Sequence, residues 1–469
     1  MDELQKVKNF GKKLDAISPS MCFAKWKQVT LHLQTGHTHS CHHPKTHKIP
    51  LEELKDNPSA LHNTNFKKEQ RKLMLNGKRP AECDYCWKVE DAVGQKRDVL
   101  SDRYTKSYEP WAQDFQQDII SKKNWDQNIN PSYLEVSFSN VCNFKCSYCA
   151  PEISSKWMEE IKQHGAYPTS TNFNNLENVQ KQDKMPIPHK DDNPYVEAFW
   201  KWWPDLYKDL RVFRITGGEP LMTKNTFKVL DYVLENPNPE IKININSNLC
   251  VPDDILNKFI EKVKRIQGEE LINEFQVYTS CEAKGQKAEY IRHGLDYNQW
   301  FDNCRRILEE IPRSKLTNMS TYNALSVSSY TEFMKDWLKL RQEFMSGPER
   351  RNPISLDIAY LRWPWHQNIH ILTKDWLKSI EDHVTYMFQN KEVGDWPPLC
   401  GNGWYEHEIN RMKRIYFVAK QGPDQSFNVE QSRKDFVKFV DEHDARRGTN
   451  FLKVFPEYEQ FYKEIKSAI

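Results

Sequence analysis

The chain has 469 residues, a formal net charge of +2 and 38% hydrophobic residues. That length supports two or three domains around a sizeable core, and the near-neutral balance excludes a global field that would demand a nucleic-acid or membrane partner. No apolar run approaches a membrane span and the leading MDELQKVKNFGKK lacks an apolar signal core, so a reducing cytoplasm is expected, where eleven cysteines serve as ligands or reactive thiols rather than disulfides.

Residues 1–100 hold the first cysteine group. Cys22 and Cys41 flank Gly36 as C-x13-G-x4-C, and Cys83 and Cys86 form CDYC before Trp87. Between them lie a strand-like run over 29–33 and a basic amphipathic helix pattern over 66–75, closed by Asn76-Gly77. Four cysteines drawn from separated loops can close every iron of a cubane cluster. Zinc is the competing reading, because His37, His39, His42, His43 and His47 crowd around Cys41 and Cys/His mixtures are ordinary zinc ligands. Residues 101–131 read as a linker with one helix, in which Trp111 and Trp125 are packing anchors.

The core is expected over 132–390. An alternating strand pattern at 133–138 runs into a loop that holds Cys142, Cys146 and Cys149 at CxxxCxxC spacing. Three soft thiolates so close together can wrap one face of an iron–sulfur cubane and leave one iron open, and an open coordination position is where a metal centre does chemistry. A helix pattern follows at 153–164, and 165–193, rich in Asn, Lys, Asp and Pro, reads as an insertion loop. Strand patterns at 211–215, 241–246, 275–280, 316–322 and 354–361 then alternate with helix patterns such as 225–234, 253–265 and 330–344, which predicts an α/β fold with a parallel sheet. The strand ends carry the polar motifs: Gly217-Gly218-Glu219-Pro220 after Thr216, Ser247-Asn248 after Asn246, Ser280-Cys281-Glu282 with Arg292 beyond, then Asn323 and Trp363. Residues 391–469 read as a helical cap, with helices over 431–442 and 458–466. Cys281 and Cys400 are weak candidates for a reactive thiol, set against plain packing, which also suits Cys250 and Cys304.

The tricysteine spacing, with Tyr148 directly before its last member and the Gly-Gly-Glu-Pro turn after the next strand, resembles the radical S-adenosylmethionine (radical SAM) superfamily. The resemblance implies a partial (β/α)6 TIM-like barrel whose [4Fe-4S] cluster is held by Cys142, Cys146 and Cys149. Its open iron would bind the amine and carboxylate of S-adenosylmethionine, whose one-electron cleavage yields a 5′-deoxyadenosyl radical that takes hydrogen from a substrate. By the same resemblance Tyr148 packs near the adenine and Gly217, Gly218, Glu219 and Pro220 hold the methionine amine. Ser247 or Asn248 lines the cofactor pocket, Ser280 and Arg292 serve the ribose and carboxylate, and Glu282 is a further cofactor-binding candidate beside them. For Arg292 the plain alternative is an ion pair with Glu289 or Asp296.

The front pattern resembles the twitch domain, the shorter relative of the SPASM domain, here placed ahead of the core rather than after it. That likeness implies an auxiliary [4Fe-4S] cluster on Cys22, Cys41, Cys83 and Cys86, able to accept an electron in a net oxidation, as in an oxidoreductase or maturase. The implied partners are a peptide, protein side chain or small polar metabolite as substrate and a flavodoxin or ferredoxin as reductant. Two other readings stand beside it. One is a radical SAM enzyme that modifies RNA, with Lys67, Lys68, Arg71, Lys72, Lys78 and Arg79 steering the phosphate backbone. The other is a zinc-binding nucleic-acid module.

Overall fold

The computed structural model describes residues 3–93, 100–344, 353–392 and 403–469. Its strands, in chain order, are β1 (Gln28–His32), β2 (His37–His39), β3 (His47–Lys48), β4 (Tyr133–Ser137), β5 (Lys145–Cys146), β6 (Val212–Thr216), β7 (Asn238–Asn246), β8 (Ile272–Thr279), β9 (Arg292–His293), β10 (Lys315–Tyr322) and β11 (Ile354–Tyr360). Nine of them form one sheet in the order β11-β10-β8-β7-β6-β4-β1-β2-β3, and β5 pairs with β9 alone. From β4 to β11 every neighbouring pair is parallel and the chain steps along the sheet in a single direction. Right-handed crossovers in such a series put every connecting helix on the same face.

The two faces of the sheet differ accordingly. Leu134, Val136, Phe213, Ile215, Ile243, Ile245, Phe275 and Val277 are completely buried under the helices. On the other face Glu135, Arg214, Asn246, Tyr278 and Met319 are only half-buried. Alternation within each strand sends one set of side chains into the core and leaves the other on a polar, partly open surface. Helix starts are set by local chemistry: Ser154 caps Ser155–His164, Thr223 caps Lys224–Glu235 and Asp296 caps Tyr297–Glu310.

The front region does not stand apart from this sheet. β1 runs parallel to β4 in full register, from Gln28 opposite Tyr133 to His32 opposite Ser137, so Val29 and Leu31 join the main core. A second apolar cluster gathers Leu14, Met21, Trp26, Met74 and Trp87 together with Trp111, Ala112, Ile119 and Ile129. The stretch 101–131, expected as a linker with one helix, therefore contributes the short helices Asp102–Tyr108, Pro110–Gln113 and Gln116–Lys122 to that front core. Large apolar side chains seven to ten residues apart in a polar background left no periodicity to read.

A second difference concerns 165–193. The insertion contains the helix Leu176–Lys181, capped by Asn175, and buries Tyr167, Phe173 and Val179. Tyr167 stacks on Phe439 of the helix Val429–Arg447, 4.9 Å between ring centroids. The segment is ordered by a partner far along the chain, which its own sequence could not announce. Residues 393–402, with Cys400, lie outside the described residues.

Candidate functional site

Two cysteine groups sit at opposite ends of the strands. Cys22 precedes β1 and Cys41 follows the antiparallel β2, so both lie at the N-terminal end of β1; the tricysteine loop follows the C-terminal end of β4.

At the C-terminal rim, the loop from Ser139 to Ala150 is held from every side. Ser154 Oγ donates to the Phe144 carbonyl (2.7 Å), Ser155 Oγ accepts from the Cys142 amide (3.1 Å) and the Trp157 indole donates to the Cys146 carbonyl (2.8 Å). β5 is pinned by β9, which sets Cys146 opposite Arg292. Ser147 exchanges two hydrogen bonds with Gln367, at 2.7 and 3.0 Å, and Asn174 of the insertion donates to the Cys149 carbonyl. Burial raises all three thiols of this loop, Cys149 to about 12.

The Gly217-Gly218 turn meets this loop backbone to backbone. Gly218 N–H donates to the Ser139 carbonyl (3.3 Å) and Glu219 N–H to the Val141 carbonyl (2.7 Å). Gly217 has φ +119°, and a Cβ on it would lie 2.5 Å from Ser137 Oγ; a Cβ on Gly218 would lie 2.8 Å from the Val141 carbonyl carbon and closer still to its oxygen. Only glycine fits either position. Gly218→Ala is expected to push the turn off the cysteine loop and lower iron retention at that loop severalfold, read by iron analysis after anaerobic reconstitution.

Glu219 is turned away from the mouth. Its carboxylate, almost fully buried, accepts from Leu221 N–H (3.0 Å), Ser247 Oγ–H (2.8 Å) and Asn248 N–H (2.7 Å). Asn248 in turn bonds Asn143 at 2.7 Å, so the β6, β7 and cysteine loops form one stitched rim. Glu219, Ser247 and Asn248, expected as ligand contacts, are brought together here, with Glu219 bonded to the other two. Burial lifts the Glu219 carboxyl to about 7, outweighing the three donors. A carboxyl that holds its proton more firmly folded than unfolded costs stability as pH rises from about 4.5 to 7. Glu219→Gln is expected to flatten that decline, seen as a smaller gap between thermal midpoints at pH 5 and pH 8.

Arg292 pairs with neither Glu289 nor Asp296. Its guanidinium grips Glu282 through Nε (3.0 and 3.1 Å) and Nη2 (2.7 Å), and Nη1 lies 3.8 Å from Cys146 Sγ. Tyr148 Oη donates to the same Glu282 at 3.1 Å. Glu282 and Arg292 are both buried, so the pair presents one cation edge to Cys146. Ser280 is half-buried at the end of β8. Cys281 is fully buried with Sγ against the Ala283 carbonyl, which places it in the core and not at the mouth. Asn323 makes an Asx turn with Leu325 N–H, and Trp363 is 46% exposed.

At the other end, Cys22, Cys41, Cys83 and Cys86 all line one cavity. Lys25, Arg103 and Lys106 line it too, with His43 and Trp87. Burial pushes Cys41 up to about 12 and also raises Cys83 and Cys86. Burial works against the Lys25 ammonium, but Cys83 and Glu82 more than offset it and hold it above its ordinary value. Of the five histidines near Cys41, His43 alone reaches the cavity, bonded to Asp102 and stacked on Tyr85. His37 bonds Thr35, His39 bonds His32, His42 bonds Gln28 and His47 bonds Thr64. Among the described residues no three His, Cys, Asp or Glu side chains converge on a point that would hold a single metal ion.

Two of the six basic residues behind the nucleic-acid readings are internal, whereas Lys78 and Arg79 are exposed and Lys68 and Lys72 are half-buried. Lys67 and Arg71 are completely buried, donating to Thr38 Oγ1 and to Asn63 and His62, and Arg79 pairs with Asp91 at 2.7 Å. No helix among the described residues is long and apolar enough to cross a membrane.

No family model matches the chain, and no curated protein matches it. Among solved structures, that of Streptococcus suis SuiB bound to S-adenosylmethionine overlaps 77% of this chain and 69% of that chain at 14% identity, with a TM-score of 0.34. The structure of SuiB bound to the precursor peptide SuiA overlaps to the same extent.

Proposed function

We propose that the protein is a radical SAM enzyme, an oxidoreductase or maturase built on a partial (β/α)6 barrel, acting on a peptide, a protein side chain or a small polar metabolite. The observation that carries this reading is the rim itself. A three-thiol loop and a Gly-Gly turn, separated by about seventy residues, share backbone hydrogen bonds at the same strand ends, Gly218 to Ser139 and Glu219 to Val141.

The donor sets fit the clusters. Cys142, Cys146 and Cys149 would hold one [4Fe-4S] cluster with an iron left open, and Cys22, Cys41, Cys83 and Cys86 would close every iron of an auxiliary one. That all four thiols line one cavity supports a shared ligand set. Lys25, Arg103 and Lys106 supply positive charge where four thiolates would gather. A cluster at the rim would supply one-electron reduction of S-adenosylmethionine, and an auxiliary cluster would accept the electron that a substrate radical gives up when it is oxidised to product.

The chain's own residues then have definite tasks. Gly217 and Gly218 bring bare backbone to the mouth, and that backbone, not the engaged Glu219 carboxylate, is left for the methionine amine. Arg292, held by Glu282, places a cation edge on the Cys146 sulfur. Tyr148, fixed through its hydroxyl by Glu282, offers a ring face beside the cofactor. A flavodoxin or ferredoxin in a reducing cytoplasm would be the electron donor.

Anaerobic reconstitution tests the assignment. About eight irons per chain and release of 5′-deoxyadenosine from S-adenosylmethionine on reduction are expected. Bound zinc without iron, or no 5′-deoxyadenosine, would overturn it.

A further inference from the structure

The polar face of the sheet lies between the two cysteine sites, and its side chains are incompletely partnered. Register puts Thr30, Glu135, Arg214 and Asn244 in one row across β1, β4, β6 and β7, with Ser137 one step nearer the tricysteine rim. Thr30 and Ser137 are both 2% exposed, and neither hydroxyl oxygen has a hydrogen-bond partner among the described residues. A buried hydroxyl without a partner costs free energy, and the two stand on the same face of the sheet on adjacent strands.

Arg214 stands at the centre of this face. Its Nε donates to Asn246 Oδ1 (2.9 Å), one Nη meets only the thioether of Met319 (3.2 Å), and the Tyr133 hydroxyl is within hydrogen-bonding reach. The guanidinium lies flat over the Tyr278 ring, 4.2 Å from its centroid. Its ion-pair partner Glu135 is 3.9 Å away, outside hydrogen-bond range. Three deep arginines keep a carboxylate close, Arg292 with Glu282 at 2.7 Å, Arg341 with Glu408 at 2.6 Å and Arg103 with Glu90 at 2.8 Å, whereas Arg71, which also has none, is completely buried and engaged by Asn63 and His62. A guanidinium held over an aromatic ring on a partly open polar face, with no carboxylate within hydrogen-bond range, can receive an anion, and the planar fork matches a carboxylate with two parallel bonds.

We propose that this face binds a carboxylate-bearing substrate, with Arg214 as the anchor for its carboxylate. Glu135, the ion-pair partner 3.9 Å from the guanidinium and not hydrogen-bonded to it, is placed to take an ammonium or amide N–H of the same molecule. The substrate class is thus an amino acid or an acidic peptide segment rather than a carbohydrate. The assignment of this ligand as a substrate rests on the enzyme reading above, whereas the binding site stands on the geometry of Arg214.

Arginine-selective labelling of the full chain with phenylglyoxal, mapped by mass spectrometry, tests the site without needing activity. Arg214 is expected to label, and about 10 mM glutarate is expected to slow its labelling about tenfold for a dissociation constant on the order of 1 mM, with neutral glutaramide having no effect. Arg265, exposed on a helix, is the internal control and labels at one rate throughout. Equal protection by glutarate and glutaramide, protection by inorganic phosphate but not by glutarate, or an Arg214 that never labels would each overturn the proposal. Loss of 5′-deoxyadenosine release with intact glutarate protection would instead sink the enzyme reading and leave the site.

Discussion

Cys146→Ala is expected to abolish 5′-deoxyadenosine release and to cut bound iron from about eight to about four per chain, since a cluster on the remaining two thiols of the loop loses a whole face of its support. Cys146 is the informative choice within the loop because its neighbours leave nothing to replace it. β5 fixes it opposite Arg292, whose Nη1 is 3.8 Å from its sulfur, and the Trp157 indole holds its carbonyl at 2.8 Å. Paired electron paramagnetic resonance spectra check the outcome: one reduced-cluster signal should vanish and the other persist. The converse double variant, Cys83→Ala with Cys86→Ala, should remove the persisting signal. Loss of both signals from Cys146→Ala alone would mean that the two cysteine groups do not hold separate clusters.

Arg447→Ala is expected to release the same loop from the far end of the sequence. Arg447 closes the helix Val429–Arg447, is fully buried through its side chain, and donates to the Lys145 carbonyl at 2.8 Å and to Glu160 at 3.2 and 3.3 Å while its guanidinium covers Trp157. Burial pushes the Glu160 carboxyl up, but Arg447, Lys145 and Tyr167 together hold it down at about 2. Taking one partner from a buried pair of this kind costs about 3–5 kcal/mol, because the remaining charge stays buried. Here Lys145 stays on Glu160 at 2.6 Å, so the fold is expected to survive while the loop loosens. Iron retention at the rim and 5′-deoxyadenosine release should fall about 10- to 100-fold, the range for losing a group that orients metal ligands, with the auxiliary signal unchanged. Arg447→Lys should recover only part of this, since an ammonium cannot serve a carbonyl and both carboxylate oxygens at once.

Much of the site was legible residue by residue. CxxxCxxC after an alternating strand placed three thiols on one loop, because four to eight residues of loop cannot carry cysteines far apart. The six strand patterns from 133 to 361 correspond to β4, β6, β7, β8, β10 and β11, which pair in that order. The spacing around Gly36 was legible for a physical cause too. Gly36 has φ +68° in the turn between β1 and β2, and a Cβ there would strike the Tyr195 ring, which leaves Cys22 and Cys41 to return to the same end of the hairpin.

Local pattern determined which segments are strands and helices, which loops carry thiols and which turns must be glycine, since periodicity, chirality and short-range geometry act over a few residues. Partner choice was decided only in three dimensions. Glu219 turned to Ser247 and Asn248, Arg292 to Glu282, Arg447 to Glu160, the 165–193 segment to Phe439, and β1 to β4 across a hundred residues. Each of these is a buried polar or aromatic group that folding forces to find a complement, and several complements of the right chemistry stand in the sequence. Which one is taken depends on distances that exist only once the sheet has formed. For the same reason the position of Arg214, over Tyr278 on the polar face with Glu135 3.9 Å away, is decided only by the folded sheet.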